Sequence, residues 1–314
     1  MPSEPSSPPP PVWDPGQYLR HSGPRARPFL DLLARVPALP ATRAPRIADL
    51  GCGPGNVTVL LTERWPGAHV TGFDNSPQML REAEALAGPT AGGGRLAFAA
   101  ADAGRWTPDP STYDLILSNA TLQWVPGHAE RLPDWVAGLR SGGVLAVQMP
   151  ANFDAPSHTL MRELCAEGRW GGRLDGVLRH DDAVLPPGAY LELLAGLGCD
   201  VDVWETTYQH LLPGADPVLE WVKGTGLRPV LTALAGDPGA TEEFLAAYRA
   251  RLRQAYPARA HGTVFPFRRV FAVARKRQPH GAATTGRRAA PGPGTEQRSG
   301  PGPGGGGVSS CGGL

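Results

Sequence analysis

The hydrophobic positions of this chain fall into short apolar runs that alternate with amphipathic stretches of helical period. The runs predict strands at 46–50, 69–73, 96–100, 113–118 and 144–149. Helices are predicted at 56–65 and from Pro77 onward, where Ser76 stands at the capping position. Strands joined by helices of this length form right-handed crossovers, so the pattern predicts an α/β fold with a doubly wound, mostly parallel sheet.

The second half of the chain predicts additions to this sheet. A helix is expected at about 189–197, followed by strands at 201–207 and 269–274 that suit an antiparallel pair at the sheet edge. The sheet would then have seven strands, with the last one antiparallel. The pattern is irregular at 151–186 and helical at 214–258, and we expect both stretches to be insertions that form a lid. One domain over 12–276 is therefore predicted.

The two ends of the chain have the composition of disordered tails. Residues 1–11 are rich in proline and serine, and residues 277–314 are rich in glycine and proline, with PGPG at 291–294 and 301–304. Neither segment has enough apolar side chains to offset the entropy of ordering it. The chain also lacks a run of about 18 apolar residues and the start of a signal peptide, so we expect it in the cytoplasm.

Glycines and acidic residues lie where successive predicted strands end. Asp49 precedes a G-x-G-x-G turn that begins at Gly51, and glycine allows both the tight turn and a close approach to a ligand. The dinucleotide fingerprint would require its third glycine at Asn56. Asp74 ends the second strand, where a carboxylate can accept hydrogen bonds from ribose hydroxyls. Asp102 follows the third strand and Asn119 follows the fourth.

The Asp-x-Gly-x-Gly-x-Gly segment at 49–55 resembles motif I of the class I methyltransferases, which have a Rossmann-like fold. The resemblance implies S-adenosylmethionine as the methyl donor and no metal. It implies a donor site formed by Asp49, Gly51, Cys52, Gly53, Gly55, Asn56, Asp74, Asn75, Met79, Asp102, Ala103 and Asn119. The alternative is that the three acids cap helices or turns.

A second resemblance is narrower. The segment at 119–124, Asn-Ala-Thr-Leu-Gln-Trp, is similar to a segment of the trans-aconitate 2-methyltransferase family. The likeness continues in Trp-Asp-Pro at 13–15 and Thr-Gly-Leu-Arg-Pro at 225–229, and it covers about 12–276. It implies methyl transfer to a carboxylate of trans-aconitate, which gives a monomethyl ester and S-adenosylhomocysteine.

A tricarboxylate is fully ionised at neutral pH and needs cationic or hydrogen-bonding partners when it is buried. Basic residues of this chain are nearly all arginine, which suits carboxylate recognition, although a GC-rich genome also explains the bias. The segments expected to cover the cleft supply the candidate substrate-binding residues Tyr18, Ser22, Arg25, Arg27, Gln123, Trp124, Tyr208, Arg228 and Arg269. Arg25 and Arg27 would otherwise be exposed helix residues paired with acids, and Arg269 would face solvent.

No catalytic residue is predicted, because a carboxylate nucleophile is already an anion and needs no general base. Two other functions stay open: a methyltransferase of the same fold for another small polycarboxylate or hydroxylated metabolite, and an NAD-dependent oxidoreductase. Asn56 disfavours the latter. The formal net charge of +1 gives no reason to expect nucleic acid or a membrane as a partner. We expect a monomer with free thiols.

Overall fold

The structure is a computed structural model that describes residues 22–40, 43–178 and 183–278. Its strands are β1 Arg46–Leu50, β2 His69–Asp74, β3 Gly88–Pro89, β4 Arg95–Ala100, β5 Tyr113–Asn119, β6 Leu139–Pro150, β7 Cys199–Leu212 and β8 Thr263–Lys276. Its helices are α1 Ser22–Arg35, α2 Val59–Arg64, α3 Pro77–Ala83, α4 Leu132–Gly138, α5 Pro156–Ala166, α6 Gly171–Leu174, α7 Pro187–Gly196, α8 Pro217–Lys223, α9 Arg228–Leu234 and α10 Pro238–Ala255. Residues 1–21 and 279–314, which hold almost all of both predicted tails, lie outside the described residues.

All eight strands belong to one sheet in the order β3-β4-β2-β1-β5-β6-β8-β7. The predicted mostly parallel sheet is confirmed, and so is the antiparallel last strand: β8 runs antiparallel to both β6 and β7. The eighth strand is the two-residue β3, which pairs antiparallel with β4 and is too short to leave an apolar run in the sequence. The parallel strands β4, β2, β1, β5 and β6 all end at the same edge, and this edge holds the site.

Alternate side chains of each strand face opposite sides of the sheet and fill two separate cores. Helix α1 covers one side with Phe29 and Leu32, which pack on Leu115 and Leu117 of β5. Helices α4 and α7 cover the other side. Asn119 continues the side of β5 that faces α1, because it follows Leu115 and Leu117 at intervals of two residues.

The stretches expected to be insertions pack on each other in a third core. Met161 of α5, Trp221 of α8 and Phe244 of α10 are buried there against Phe265 and Phe267 of β8. The expectation of an irregular 151–186 was wrong in one part, because α5 has its apolar residues at the three- and four-residue spacing of a helix.

In the part of the chain that the structure describes, no helix combines the length and the apolar character needed to cross a bilayer. The cytoplasmic location and the monomeric state stay predictions.

Candidate active site

The loop after β1 turns on three glycines with left-handed backbone conformations. Gly51, Gly53 and Gly55 have φ values of 75°, 56° and 78°. The backbone N–H groups of Gly51 and Cys52 both donate to the carbonyl of Phe73, at 2.7 and 3.0 Å. Residues with a Cβ rarely adopt this conformation, so the glycines let the chain leave β1 sharply at the sheet edge.

The surroundings of the three glycines differ. A Cβ on Gly51 would collide with the side chain of Thr121, and one on Gly55 would lie 2.7 Å from Cζ of Phe98. A Cβ on Gly53 would meet no atom within 4 Å. Packing within the fold therefore requires glycine at positions 51 and 55, whereas Gly53 faces open space.

Asp74 joins the end of β2 to this loop. One carboxylate oxygen accepts a hydrogen bond from Gly53 N at 2.9 Å, and the other accepts from Ser76 N at 2.8 Å. Burial raises the pKa of Asp74, while these backbone hydrogen bonds lower it. The carboxylate is thus held at the strand end that the sequence predicted, and each oxygen has capacity for a further donor.

Asp49 lies beneath the loop and is almost fully buried. Its carboxylate accepts a hydrogen bond from the Thr58 hydroxyl at 2.7 Å. Burial raises the pKa of Asp49 to about 7; the Thr58 hydrogen bond lowers it and the nearby charge of Asp74 raises it further. A positive ligand group nearby would favour the ionised form.

The other predicted donor-site residues lie along the same edge. Asn56 and Asn75 are exposed, Met79 is buried, and Ala103 is partly buried. Asp102 is exposed, and its Oδ1 accepts a hydrogen bond from Gly104 N at 2.8 Å. One carboxylate oxygen of Asp102 thus holds the turn after β4.

The end of β5 lies between this loop and a cavity that is lined in part by Ala120. Oδ1 of Asn119 is buried and has no hydrogen-bond partner among the described residues. Ala120 has φ 56°, which is strained for a residue with a Cβ, and its N–H donates to Gln148 O at 2.8 Å. Thr121 then contacts Gly51. An unsatisfied buried oxygen and a strained backbone are typical of functional sites.

The cavity has an empty volume of about 940 Å³, including its open mouth. Its walls come from the end of β5, from β8 and from both helical insertions. They are formed by Ala120, Gln123, Trp124, Pro150, Phe153, His158, Met161, Arg162, Leu178, Trp221, Thr225, Gly226, Pro229, Phe267 and Arg269. Among these described lining residues none is acidic, so the cavity is apolar with a positive charge.

Two polar side chains of the cavity wall, those of Arg269 and Gln123, are held by specific contacts. Arg269 is 4% exposed, donates to Oε1 of Gln148 at 3.2 Å, and lies 4.8 Å from the ring centre of Phe267. Gln123 is buried and donates to Ala120 O at 2.6 Å. Oε1 of Gln123 is buried and has no partner among the described residues.

His158 lies in the first turn of α5 with its Nδ1 between two polar groups. The Ser157 hydroxyl is 3.1 Å away and the Asn152 amide nitrogen is 3.5 Å away. Nε2 lies beside Gly226 in the cavity wall.

Comparison with known proteins supports a methyltransferase. Residues 47–143 match the family described as methyltransferase domain. The chain is 69% identical to a trans-aconitate 2-methyltransferase of Streptomyces coelicolor over 85% of this chain and 87% of the relative. It is 69% identical to that of Streptomyces avermitilis, over 85% and 97%, and 48% identical to that of Rhodococcus jostii, over 84% and 99%. The chain belongs to the trans-aconitate 2-methyltransferase family.

The donor of this methyltransferase class is S-adenosylmethionine, and the residues of the loop fit it. The open space over Gly53 gives room for a ligand against the backbone. The unpartnered Oδ1 of Asn119 supplies an acceptor. Asp49 and Asp74 form a negative environment that suits the cationic amino and sulfonium groups of the donor.

Three of the predicted substrate-binding residues of this family member line the cavity: Gln123, Trp124 and Arg269. Arg228 begins α9, is partly buried, and precedes Pro229 of the cavity wall without lining it. The position of Arg269 excludes the alternative that it faces solvent.

Two predicted contacts lie away from the cavity wall. Arg27 is largely exposed, lies 3.9 Å from Asp31, and stacks over the ring of Tyr208 at 5.1 Å. Tyr208 is buried, and its hydroxyl donates to Asp31 at 2.6 Å. Arg27 is therefore an exposed helix residue paired with an acid, which was the alternative interpretation. Its partner Asp31 lies on the same helix and accepts the hydrogen bond from Tyr208 of β7.

Three predicted substrate-binding residues fall wholly or partly outside the part of the chain that the structure describes. Tyr18 lies outside the described residues, and so do the side chains of Ser22 and Arg25, whose backbone belongs to α1.

Sequence reasoning missed the wall residues Phe153, His158, Arg162 and Thr225. A signal for two of them was present. Pro156 is typical of the first turn of a helix, and residues 158 and 162 are four apart, so a helix starting there places both on one face.

Proposed function

We propose that this chain transfers the methyl group of S-adenosylmethionine to one carboxylate of trans-aconitate, giving a monomethyl ester and S-adenosylhomocysteine. The observation that carries the proposal is the separation of charge across Asn119 and Ala120. Acidic side chains lie on the loop side, and basic side chains lie on the cavity side. This arrangement suits a cationic donor on one side and an anionic acceptor on the other. The names of the relatives support trans-aconitate as the acceptor.

On the donor side, the chain would hold the ligand with Gly53, Asp74 and Asn119. When bound, S-adenosylmethionine supplies an electrophilic methyl group on a positively charged sulfur. The Asp74 carboxylate is fixed by two backbone N–H groups before any ligand arrives, so little reorganisation is needed on binding.

On the acceptor side, the chain needs no general base. A carboxylate of trans-aconitate is ionised at neutral pH and is itself the nucleophile. Its residues therefore act by orienting the acceptor and excluding water, which can lower a barrier by about 7–11 kcal/mol. Trp124, Phe153 and Trp221 supply apolar walls for this purpose.

The arginines of the cavity should bind the carboxylates that do not react. The negative charge of the reacting carboxylate is being neutralised in the transition state. An arginine bound to it would therefore stabilise the ground state more than the transition state. Contacts to the other two carboxylates have the same strength in both states and fix the orientation.

The test is an assay of the purified full chain with S-adenosylmethionine and trans-aconitate, cis-aconitate or isocitrate, with detection of a base-labile methyl ester by mass spectrometry. We expect ester with trans-aconitate at a higher kcat/KM than with the other two acids. Tight binding of S-adenosylhomocysteine without any ester from trans-aconitate would overturn the acceptor. The absence of binding to S-adenosylhomocysteine by the folded protein would overturn the methyltransferase assignment itself.

A further inference from the structure

Arg162 differs from the other arginines of the helical insertions in its surroundings. It lies in the middle of α5, lines the cavity and is partly buried. Within the described residues its guanidinium makes no hydrogen bond or ion pair. The lining of the cavity around it is mostly apolar, and none of its described residues is acidic.

Five other arginines, on α6, on α10 and in the segment between α5 and α6, are each paired with an acid. The pairs are Arg169 with Glu243, Arg173 with Asp237, Arg249 and Arg253 with Asp216, and Arg251 with Glu167. Ion pairing is therefore the rule in this part of the molecule. Arg162 departs from it even though the next residue in the sequence is Glu163, because adjacent residues of a helix do not face each other.

Partial burial of a guanidinium without a counter-ion costs free energy, and a bound anion restores the balance. The planar guanidinium fits a carboxylate with two parallel hydrogen bonds. We infer that Arg162 binds one of the non-reacting carboxylates of the acceptor and that it determines the preference for a tricarboxylate. This inference rests on the proposed function.

The position of α5 is fixed independently of any ligand. Ser157 N at the start of the helix donates to the Tyr256 hydroxyl at 3.0 Å, and the Tyr248 hydroxyl donates to Ser157 O. His158, four residues before Arg162, lies on the same face of the helix and also lines the cavity. Arg162 is thus presented by a helix held at its N-terminal end.

The experiment compares Arg162→Met with Arg169→Met, a matched change at an arginine that is paired with Glu243 and does not line the cavity. Three dicarboxylates, each lacking a different carboxylate of trans-aconitate, serve as competitive inhibitors: mesaconate, itaconate and glutaconate. The inhibition constant of each is measured with the wild type and both variants. Binding of S-adenosylhomocysteine reports on folding.

We expect Arg162→Met to raise the KM for trans-aconitate about 10- to 100-fold, with unchanged affinity for S-adenosylhomocysteine. Two of the inhibitors should lose affinity by a similar factor. The third, which lacks the carboxylate held by Arg162, should bind both proteins within about threefold. Arg162→Lys, which keeps the charge, should lie between, and it provides the same comparison if the methionine variant does not fold.

Equal losses for all three inhibitors would overturn the inference, and so would an Arg162→Met protein indistinguishable from Arg169→Met. Both outcomes differ from failure of the proposed function. That failure would appear as absence of methyl ester from trans-aconitate in the wild type, before any variant is compared.

Discussion

The three glycines of the loop share one backbone conformation but require it for different reasons. Gly51 has its absent side chain directed at Thr121, whereas Gly53 faces open space. We predict that Gly51→Ala destabilises the protein by more than the 1–2 kcal/mol or so that a left-handed conformation costs a residue with a Cβ. Gly53→Ala should cost about that amount, because it has the same strain without the collision.

The binding of S-adenosylhomocysteine separates the two variants further. Gly53→Ala should stay folded and lose about tenfold or more in affinity, since its methyl group fills the space left for the ligand. Chemical denaturation and isothermal titration calorimetry measure the two effects. Equal stability of the two variants would contradict the packing role of Gly51, and normal affinity in Gly53→Ala would contradict the place of the ligand.

Asp49 gives a prediction for pH. Burial raises its pKa to about 7, so in the free protein the carboxyl is mostly neutral at pH 6 and mostly ionised at pH 8. In class I methyltransferases, which this segment resembles, the acid contacts the amino end of the donor, usually through water, and only the ionised form attracts an ammonium. Affinity for S-adenosylhomocysteine should therefore rise about tenfold from pH 6 to pH 8 through Asp49.

The matched variant is Asp49→Asn, which should bind more weakly and lose this part of the pH dependence. Titration of the ligand's own amino group affects both proteins equally, so the difference between them isolates Asp49. Calorimetric titrations from pH 6 to pH 8 measure it. Parallel pH profiles for the two proteins would contradict a role for the ionisation of Asp49.

The position of the donor-side residues at the sheet edge could be predicted from local sequence spacing, because these residues lie at or directly after the ends of strands. Asp49, Gly51 and Asp74 could be placed from the sequence, since the carboxyl ends of parallel strands meet at one edge. The acceptor cavity is assembled from segments more than a hundred residues apart. Arg269 was recognised through the resemblance, whereas Arg162 could be identified as unusual only once its neighbours were seen to be paired.

At the scale of elements, β1, β2, β4 and β5 were predicted to within one residue at each end, because a buried strand leaves a largely apolar run. Strands β7 and β8 extend well beyond the predicted 201–207 and 269–274. Helix α5 was not predicted, since the side that faces the cavity carries the polar side chains of His158 and Arg162. Its apolar stripe is therefore narrow, and the sequence around it looks irregular. The two-residue β3 had no signal at all, because its pairing with β4 involves only Gly88 and Pro89 on one side.

The attachment of α5 to α10 can be tested with Tyr256→Phe. This change leaves Ser157 N at the start of α5 without the hydroxyl that now accepts its hydrogen bond. We expect a loss of about 1 kcal/mol in stability and a higher KM for trans-aconitate, with unchanged affinity for S-adenosylhomocysteine. The readouts are thermal unfolding, steady-state kinetics and calorimetry.

Tyr113→Phe is the matched control, because within the described residues the Tyr113 hydroxyl makes no hydrogen bond and the residue lies at the opposite end of β5 from the cavity. It should leave the KM for trans-aconitate unchanged. Equal kinetics in the two variants would mean that the hydroxyl of Tyr256 does not position the acceptor side.

At the scale of the whole molecule, one sheet edge brings two sites of opposite charge together. The donor loop belongs to the parallel core of the sheet, while the acceptor cavity depends on β8 and on both helical insertions. Substitutions of insertion residues that line the cavity should therefore change acceptor kinetics and leave donor affinity unchanged. This division between the parallel core and the insertions explains why a domain match over 47–143 is enough to indicate a methyltransferase. The matched segment includes the donor loop but only some of the residues that line the cavity.

The last strand also defines where the folded core needs to end. Strand β8 lies between β6 and β7 up to Lys276, and Arg277 adds a backbone hydrogen bond to Gly198 O at 3.1 Å and an ion pair with Asp200 at 2.7 Å. The Rhodococcus jostii relative is matched over 99% of its length by 266 residues of this chain. We therefore predict that a chain ending at Gln278 keeps the kcat/KM for trans-aconitate and the unfolding temperature of the full chain.

The control for this truncation is a chain ending at Val270, which removes most of the part of β8 that pairs with both β6 and β7. It should fail to fold, since both neighbouring strands would lose most of the hydrogen bonds that they make with β8 there. Methyl ester formation and thermal unfolding of the three proteins decide the matter. If the chain ending at Gln278 loses activity while keeping its unfolding temperature, residues 279–314 act in catalysis or substrate binding rather than in folding.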